Sequence, residues 1–401
     1  MEIIIHRGTH QIGGCITEIK SKKGTRIFID IGENLPSLDE NQPEIEIEGL
    51  FSAPSDCDGV FITHYHGDHL GLLNQKLPDI PVYMGQMAFK IYEVVAKTLK
   101  KDMSNFVALK TFVQEQRIVI KEDIIVTPYR VDHSAYDSYM FLVECDGERI
   151  LHTGDFRTHG WSGKGVIGIA QKLIRHVDVI ICEGTMMSRM NEKVMTEFEL
   201  KTKAKKFIKE NDVFVLCSST NIDTIAAFYH ATNENGKLFV CDAYQKEILS
   251  IVASEENIKK SSIYNLEMAK IYWEKREETI KAMKRRGFCC LVRANGAKIF
   301  PTLIKKFPHA KVIYSMFAGY LDETKPYKIP HFVDFVNEFN ALTDGWHTSG
   351  HATRGAIKEF CSILKPKYII PLHTEKPENF EKVAGAELIL LSDGETFFSN
   401  K

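Results

Sequence analysis

The chain has 401 residues and a formal net charge of −2 at pH 7, with 44% hydrophobic and 26% charged residues. These values are typical of a globular protein long enough for one large domain or two linked ones. The near balance of charge excludes a global attraction to nucleic acid or membranes, so any anion-binding surface would have to be local. No apolar run in the sequence approaches the roughly 20 residues that span a bilayer.

The nine cysteines are scattered along the chain and form no C-x-x-C pair. Most of them lie in apolar runs, as Cys145, Cys182 and Cys217 do. This placement predicts reduced core residues of a cytosolic protein rather than a disulfide framework. The first residues, MEIIIHRGTHQIGG, lack the positive region and the long apolar stretch of a secretory signal. We therefore expect a soluble cytoplasmic protein without a membrane partner.

Short β-branched runs separated by glycine, proline or aspartate fill the first part of the chain. They predict strands joined mostly by tight turns. In chain order they are EIIIH, CITEIK, TRIFIDIG, GVFITH, PVYMG, IIVTPYRV, SYMFLVEC, RILHTGDF and VDVIICEG. Helical periodicity predicts helices near residues 87–99 and 166–176.

The pattern changes after about residue 190. Charged helical patterns at 196–209 and 267–286 alternate with the apolar runs VFVLCSS, KLFVCD, CCLVRA and KVIYSM. This alternation is typical of a parallel sheet with helices on its faces. From about residue 330 the chain returns to helix, strand, helix and strand in HFVDFVNEF, ALTDGWHTSGH, TRGAIKEFCSIL and YIIPLHTE. We expect a strand-rich layered domain that an α/β segment interrupts and the C-terminal residues complete.

The stretch THYHGDH places three histidines and an aspartate directly after an apolar strand. His64 and His66 alternate, so both imidazoles can point to the same side. Asp68 and His69 follow Gly67, where the chain can turn tightly. Imidazoles and a carboxylate without thiolates favour a hydrolytic zinc-type site with open positions over a closed structural site. The spacing therefore predicts ligands for two neighbouring metal ions.

This stretch resembles the HxHxDH signature of the metallo-β-lactamase superfamily. The other motifs of that family have counterparts in the same order, each at the end of an apolar run: Asp30 in RIFIDIG, His133 in VDHSAYD, Asp155 in ILHTGDF and His373 in YIIPLHTE. The ordered set is far more specific than any single histidine or aspartate after a strand.

The resemblance implies a complete ligand set for two divalent ions, zinc in the first place with manganese as an alternative. The first ion would take three histidines: His64, His66 and His133. The second ion would take Asp68, His69 and His373. Asp155 would bridge the two ions, and Asp30 would support the ligands without binding metal. His152, beside the Asp155 motif, is a further candidate for such support.

A narrower resemblance concerns the β-CASP nucleases of this superfamily. Glu183 in VIICEGTMM resembles their motif A, His351 in HTSGHA resembles motif B, and His373 would also serve as motif C. The runs VLCSSTNIDTI and HTSGHATRGAIKEFCSILKPKYIIPLHTE resemble segments of the ribonuclease J family. Residues 245–316 match nothing in that pattern.

The resemblance implies an α/β fold, namely a metallo-β-lactamase αββα sandwich with an inserted α/β β-CASP domain. We expect the N-terminal part of the metal domain at residues 1–190, the insertion at 191–330 and the C-terminal completion at 331–401. The chain is short for this family, and we expect it to lack the C-terminal domain that the family adds.

Two loops have the chemistry of an anion site. The first is SSTN at a strand end that leads into a helix, in which the candidate binding residues are Ser218, Ser219 and Asn221. The second is TSGH, which offers a hydroxyl, a glycine for close approach and an imidazole: Ser349, Gly350 and His351. These loops are candidates for binding a 5′-phosphate. The alternative for SSTN is a simple helix N-cap.

The sequence thus predicts a ribonuclease that hydrolyses RNA phosphodiesters by a two-metal hydroxide mechanism, with 5′–3′ exonuclease action as one mode. Asp68 and Asp155 would hold the ions, and Glu183 would orient a histidine. His351 would bind the scissile phosphate or protonate the leaving oxygen. The expected partner is single-stranded RNA, with DNA as an alternative, and a homo-oligomer is left open.

Local cations would have to contact the RNA. The runs KAMKRRG and KKFPHAK are candidates, although such runs are more often solvated helix faces. Arg293 and Asn295 in VRANGAK are further candidates, with a polar turn as the simpler alternative.

Three other functions fit parts of the pattern. A hydrolase of a small phosphoester, ester or thioester would need the metal ligands but not Glu183, His351 or SSTN. A non-catalytic RNA-binding subunit would keep the fold, but the intact ligands argue against it. A diiron protein that reduces oxygen or nitric oxide would carry a glutamate at the place of His66.

Overall fold

The structure is a computed structural model that describes residues 1–35, 44–106, 108–189, 193–255, 263–271, 276–293, 300–325, 327–382 and 385–399. The chain divides into two compact units. Unit 1 comprises Met1–Thr158, Ser162–Lys193 and Gly350–Lys401, and unit 2 comprises His159–Trp161 and Val194–Ser349. Asn295 and the predicted boundary between residues 190 and 191 lie outside the described residues.

The described residues form nineteen strands, which are in chain order β1 (Glu2–Arg7), β2 (Ile16–Lys20), β3 (Arg26–Ile31), β4 (Gly59–Phe61), β5 (Val82–Gly85), β6 (Leu109–Phe112), β7 (Ile118–Ile120), β8 (Ile124–Arg130), β9 (Tyr139–Cys145), β10 (Glu148–His152), β11 (Val179–Glu183), β12 (Val213–Leu216), β13 (Leu238–Cys241), β14 (Lys270–Ile271), β15 (Phe288–Val292), β16 (Lys311–Tyr314), β17 (Tyr368–Leu372), β18 (Glu387–Leu388) and β19 (Thr396–Phe398).

They also form ten α-helices, which are α1 (Gly67–Leu70), α2 (Gln86–Leu99), α3 (Gly163–Ile169), α4 (Glu197–Glu210), α5 (Ile222–Asn233), α6 (Ala243–Ser254), α7 (Arg276–Arg286), α8 (Phe300–Ile304), α9 (Pro330–Phe339) and α10 (Arg354–Leu364). A π-helical turn, Ala170–Ile174, continues α3. No helix in the described part of the chain combines the length and the apolar character that a membrane crossing requires.

Unit 1 is built on two seven-stranded sheets. Their strand orders are β19-β1-β2-β3-β4-β5-β6 and β18-β17-β11-β10-β9-β8-β7. Side chains from both sheets share one apolar core, in which Ile29 and Phe61 of the first sheet meet Phe141 and Ile181 of the second. Buried and partly exposed residues alternate along β1, as expected for a strand with one face on a core. Two sheets packed face to face form the sandwich that the motifs implied.

The outer face of the second sheet is covered by helices. A second apolar cluster joins Leu151 of β10 and Ile180 of β11 to Val166 of α3 and Phe360 of α10. In α10 the buried residues recur with helical spacing, so the helix presents one apolar face to the sheet. Strand β11 is buried on both faces of its sheet. Its sequence is therefore a continuous apolar run, VIIC, rather than an alternating pattern.

Unit 2 contains a five-stranded sheet of order β14-β13-β15-β12-β16. All of its strand pairs are parallel, and helices connect successive strands. Its core is aromatic, with Phe214, Phe288, Phe300 and Phe335 packed together. The predicted parallel sheet with helices on its faces is confirmed, and with the sandwich it confirms the α/β class.

Three local predictions differ from the structure. Within the helix predicted at 267–286, residues 270–271 instead add β14 to the edge of β13, and α7 accounts for Arg276–Arg286. The run ALTDGWHTSGH contains no named strand among the described residues, only an isolated bridge at Leu342, and Gly345 turns the chain there with φ of 65°. The second change of unit falls between Ser349 and Gly350, later than the predicted 330/331 boundary. Helix α9 packs with the core of unit 2, which accounts for the later position.

A buried ion pair ties together two loops that carry predicted metal ligands. The Arg157 side chain donates from Nε to Asp132 Oδ1 at 3.0 Å, and the two side chains are 0% and 1% exposed. The backbone N–H of Arg157 also donates to the Asp132 carbonyl at 2.7 Å. Asp132 directly precedes His133, and Arg157 follows Asp155 by two residues. The pair therefore fixes the spacing of the two loops.

We predict that Arg157→Met lowers the free energy of unfolding by about 3–5 kcal/mol, because it leaves the Asp132 carboxylate buried without this cation. Urea denaturation with matched midpoint and slope measurements checks this value. The double variant Asp132→Leu/Arg157→Met should recover part of the loss, since it removes both charges. An Arg157→Met protein as stable as the parent would contradict the assigned role.

Candidate metal centre

The seven predicted metal ligands all lie in unit 1 at the carboxyl ends of strands. His64, His66, Asp68 and His69 follow β4, and the other three follow β8, β10 and β17: His133, Asp155 and His373. The strand ends of the two sheets thus bring together side chains that are far apart in the sequence.

Three histidines form the first half of the centre. Nε2 of His64 lies 3.0 Å from Nδ1 of His66, and Nε2 of His133 lies 3.4 Å from the same atom. Burial, helped by the neighbouring imidazoles, holds the pKa of His64 and of His133 well below the usual value, and burial lowers the pKa of His66 to about 4. The three rings are therefore neutral and can offer lone pairs to a cation.

Asp68, His69 and His373 form the second half. Asp68 Oδ2 lies 3.2 Å from His373 Nε2 and 3.9 Å from His69 Nε2. Burial opposes a charge on His69, but the carboxylates of Asp155, Asp30 and Asp68 raise the pKa of this imidazole well above its usual value. A carboxylate-rich surrounding of this kind attracts positive charge.

Asp155 stands between the two halves. Its Oδ2 atom lies 3.2 Å from Nε2 of His69, 3.8 Å from Nε2 of His373 and 4.0 Å from Nε2 of both His64 and His133. Its other oxygen, Oδ1, and the Nε2 atom of His69 are buried without a hydrogen-bond partner among the described residues. Buried polar atoms without a hydrogen-bond partner are costly, and bound cations would compensate that cost. The donor set around Asp155 therefore fits divalent cations.

Asp30 supports this centre through hydrogen bonds. Its Oδ2 accepts from His69 Nδ1 at 2.7 Å and from the Thr63 hydroxyl at 2.8 Å, while Oδ1 accepts from the Thr63 backbone N–H at 2.8 Å. A proton held on Nδ1 leaves Nε2 of His69 available to a cation. The Thr63 hydroxyl also lies 3.0 Å from His64 Nδ1. Thr63 was missed by the sequence reasoning, although it directly precedes the HxHxDH motif.

Motif residues from the C-terminal segment hold the first half in place. The Gly350 carbonyl accepts from Nδ1 of His133 at 2.7 Å, which directs Nε2 towards the centre. Glu183 accepts from the backbone N–H of Ala352 at 2.8 Å and of Thr185 at 3.0 Å. Glu183 thus anchors the segment that carries His351.

His351 lies beside the bridging carboxylate. Its Nδ1 is 3.6 Å from both Asp155 Oδ2 and Glu183 Oε2, and 22% of its side chain is exposed. Burial opposes a charge on the ring, but the carboxylates of Asp155 and Glu183 raise its pKa. The Thr185 hydroxyl lies 3.2 Å from the same Nδ1 and 2.7 Å from Nδ1 of His373. Thr185 was also missed, and its only sequence signal is its place two residues after Glu183.

His152 supports the turn that carries Asp155. Its Nδ1 accepts from the Gly154 N–H at 3.1 Å, and its Nε2 lies 3.3 Å from the Thr17 hydroxyl. Burial lowers the pKa of His152 to about 4, so the ring is neutral. Gly154 has φ of 52°, and a Cβ atom there would lie 2.8 Å from the Tyr139 carbonyl oxygen. The tight turn therefore requires glycine.

The predicted phosphate-binding residues are divided between the units. In unit 2, Asn221 caps α5 by accepting from the Thr224 N–H at 3.2 Å, as in the N-cap alternative. The Ser219 hydroxyl accepts from Gln245 at 3.3 Å, and the Ser218 hydroxyl lies 3.0 Å from that of Thr220. Ser349 also belongs to unit 2, whereas Gly350 and His351 belong to unit 1. A phosphate pocket built from both loops remains a prediction.

The candidate RNA-contacting cations lie in unit 2. Lys284, Arg285 and Arg286 are exposed in the last turn of α7. Arg293 follows β15 and donates from Nε to Asp242 Oδ2 at 2.6 Å, with its guanidinium 4.9 Å from the ring centre of Tyr244. Arg293 is thus part of a local ion pair.

We predict that Asp30→Asn weakens metal binding by about 10–100-fold. The amide NH₂ would face Nδ1 of His69 and favour the tautomer with its proton on Nε2, which points at the centre. Competition with a chromophoric chelator for zinc checks this change. Asp393→Asn serves as the control, because Asp393 binds Thr9 rather than a ligand. Unchanged zinc affinity in Asp30→Asn would show that Asp30 does not orient His69.

We also predict that Gly350→Ala weakens binding at the first half of the centre. A Cβ atom at this position would lie 3.0 Å from Ser134 Oγ and 3.1 Å from Cε1 of His133, so the histidine must shift. Ser134→Ala combined with Gly350→Ala should restore part of the affinity, since one of the two close contacts is removed. Equal zinc affinity in Gly350→Ala and the parent would contradict this account.

Comparisons with known proteins agree with the geometry. Residues 25–210 match the family model of the beta-lactamase superfamily domain. Residues 342–382 match the model of the Zn-dependent metallo-hydrolase RNA specificity domain. The first match contains six of the seven ligands, and the second contains His351 and His373.

Relatives and a solved structure extend the likeness over nearly the whole chain. Ribonuclease J of Mycoplasma genitalium is 23% identical over 94% of this chain and 71% of its own length. Ribonuclease J of Helicobacter pylori is 23% identical over 92% of this chain and 55% of its own length. The crystal structure of a protein of unknown function from Enterococcus faecalis V583 has a TM-score of 0.77 at 20% identity and covers 99% of both chains, which concerns the fold alone. The chain is therefore a metal-dependent hydrolase that contains a beta-lactamase superfamily domain and an RNA specificity domain, and it resembles the β-CASP branch of the metallo-β-lactamase superfamily, and ribonuclease J in particular, as its motifs predicted.

Proposed function

We propose that the chain is a ribonuclease that hydrolyses phosphodiester bonds of single-stranded RNA with two divalent metal ions. The observation that carries this proposal is the placement of four histidines, two from each predicted triad, within 4.0 Å of one buried oxygen, Oδ2 of Asp155. The match of residues 342–382 to an RNA specificity domain supports RNA as the substrate. The relatives named ribonuclease J support the same substrate.

In the proposed reaction, the bound ions would supply the chemistry, and the protein residues would hold the ions and orient their ligands. When bound, two zinc or manganese ions supply a water of lowered pKa and positive charge for the phosphate oxygens. Asp155 would contribute to both binding positions, because its Oδ2 atom lies within 4.0 Å of two histidines from each predicted triad. Asp30 and Gly350 hold one histidine of each half by its outer nitrogen, so that the inner nitrogen stays directed at the centre.

His351 is the residue that we assign to substrate contact. It lies beside Asp155 but, unlike the buried ligands His64 and His133, it keeps part of its ring exposed. Glu183 and Thr185 engage its Nδ1 side, so the Nε2 edge is the one directed to a substrate. From there an Nε2–H group can donate to a phosphate oxygen or give its proton to the leaving oxygen.

A 5′–3′ exonuclease mode belongs to the same proposal. The SSTN loop precedes α5, a helix of twelve residues, and an N-terminal helix end attracts phosphate groups. The hydroxyls of Ser218 and Ser219, both in unit 2, are the groups that we assign to a terminal 5′-phosphate. Engagement of Ser219 by Gln245 would then have to adjust on RNA binding.

Cleavage assays with matched substrates test the function. The purified chain, with its metal content measured, is incubated with single-stranded RNA and with DNA of the same sequence, each carrying a 5′-monophosphate or a 5′-hydroxyl. We expect metal-dependent cleavage of RNA, with mononucleotides released faster from the monophosphate form. A metal-loaded chain that cleaves no RNA would contradict the proposal and favour a small-ester hydrolase.

We predict that His351→Ala lowers kcat on RNA by roughly 10²–10⁴-fold while the chain keeps its metal ions. The reason is that His351 contacts the substrate but is not one of the seven ligands. His331→Ala, which removes an exposed histidine of unit 2 outside the candidate RNA-contacting runs, is the matched control and should keep the parent rate. Full activity in His351→Ala would remove His351 from the mechanism.

A further inference from the structure

The carboxyl edge of the unit 2 sheet has the topology of a ligand-binding edge. Strands β12 and β15 pair side by side and run parallel. The chain leaves β12 through α5 towards β13 on one side of this pair, and it leaves β15 through α8 towards β16 on the other side. Open parallel sheets bind ligands outside the carboxyl ends of their strands, at the place where the connections diverge in this way.

Two aromatic contacts show that the diverging helices lie on opposite faces of the sheet. The ring of Phe300 in α8 lies 5.2 Å from that of Phe214 in β12, and the ring of Tyr229 in α5 lies 5.3 Å from that of Phe239 in β13. Phe214 and Phe239 pair with successive residues of β15. Because successive residues of a strand point to opposite faces, α8 and α5 cover opposite sides. The loops after β12 and β15 therefore diverge at the carboxyl edge.

Charged, aromatic and hydroxyl groups from three adjacent strands meet at this edge. Asp242 and Tyr244 follow β13, Arg293 follows β15 and Ser219 follows β12. Arg293 donates from Nε to Asp242 Oδ2 at 2.6 Å, and its guanidinium lies 4.9 Å from the ring centre of Tyr244. The buried Gln245 side chain donates to Ser219 Oγ at 3.3 Å and accepts from the backbone N–H of Asp242 at 3.0 Å. These side chains form one connected cluster.

The cluster has donors that the described residues do not use. Asp242 engages Nε of Arg293, and no hydrogen bond to the two Nη groups is recorded within the described part of the chain. The Arg293 side chain is 32% exposed, so these groups can reach a ligand. A guanidinium with its Nη groups available is suited to phosphate oxygens. The Ser219 hydroxyl accepts from Gln245, and its own proton can serve a further acceptor.

We propose that Tyr244 and Arg293 form a nucleotide-binding position for single-stranded RNA in unit 2, in which Arg293 donates to a backbone phosphate and the Tyr244 ring packs against a base. A cation beside an aromatic ring is the combination with which proteins hold single strands irrespective of sequence. Asp242 orders the guanidinium through Nε, so less side-chain freedom is lost when the phosphate binds. The inference rests on the proposed ribonuclease function, because it names a position at which unit 2 contacts that substrate.

Equilibrium binding of RNA separates the two contacts. Fluorescence anisotropy of a labelled single-stranded RNA is measured with the metal-loaded full chain in a His351→Ala background, which keeps the RNA intact, over a range of salt concentrations. Arg293→Gln should weaken binding and lower the slope of log K against log salt by about 0.7, the value for one phosphate contact on a single strand. Arg293→Lys keeps the charge and should keep the slope.

The aromatic contact has a different signature. Tyr244→Leu should weaken binding by roughly 5–100-fold, as the loss of one stacked base does, without a change in the salt slope. Tyr244→Phe keeps the ring and should bind as the parent does. On the cleavable substrate with His351 in place, Arg293→Gln and Tyr244→Leu should raise KM with little change in kcat, as expected for groups that hold the ground state and the transition state equally.

The controls are two exposed side chains of unit 1. Arg117→Gln removes a cation whose side chain is 62% exposed, and Phe398→Leu removes an exposed aromatic ring of β19. Both variants should match the parent in RNA affinity and in salt slope. An equal loss of affinity in Arg117→Gln and Arg293→Gln would show a general effect of charge and would overturn the assigned contact.

Failure of this inference is distinguishable from failure of the proposed function. If RNA is cleaved while Arg293→Gln and Tyr244→Leu match the parent in affinity, slope and KM, the inference alone falls, and Arg293 is only the partner of Asp242. If the binding pattern appears but the parent cleaves no RNA, the ribonuclease proposal falls and the nucleotide-binding position stands. A chain that neither binds nor cleaves RNA would contradict both.

Discussion

The buried carboxylate of Asp155 is the constraint on which the centre depends. An ionised carboxylate inside a protein is costly unless cations or donors compensate it. Around Oδ2 the fold places four imidazole Nε2 atoms within 4.0 Å, and burial opposes the charge while His373, His69 and His351 hold the pKa of Asp155 well below its usual value. One side of Asp155 carries neutral histidines and the other carries acidic groups. This arrangement is the one expected for the two halves of a site for divalent cations.

Hydrogen bonds to the outer nitrogens of the histidines fix the orientation of the imidazoles in this cluster. Each histidine has two nitrogens, and a metal site needs the correct one to face inwards. Asp30, Gly350 and Thr185 each engage the outer Nδ1 atom of one histidine, at 2.7 Å in every case. Two of the residues in this arrangement, Asp30 and His373, have positive φ values of 60° and 54°. Such backbone conformations carry strain in non-glycine residues, and strain of this kind gathers at functional sites.

The sequence pointed to candidate ligands more readily than to the residues that support them, and the reason is physical. Ligands are chemically distinctive and stand at the ends of apolar runs, so Asp155 and His373 could be found from local pattern. Thr63 and Thr185 are ordinary residue types whose roles arise from contacts across the fold. The role of the Gly350 carbonyl could not be read either, since its partner His133 lies 217 positions earlier. The helix predicted at 267–286 failed at its start because pairing of β14 with β13 outweighed a local helical pattern.

The most direct test of the account is the number and place of the bound metal ions. Crystals of the zinc-loaded chain, measured with anomalous diffraction at the zinc absorption edge, would show the ions independently of any assay. The account predicts two peaks on opposite sides of Asp155, one beside His64, His66 and His133 and the other beside Asp68, His69 and His373. A single peak, or peaks away from Asp155, would contradict the assignment of a bridging carboxylate and with it the proposed two-metal chemistry.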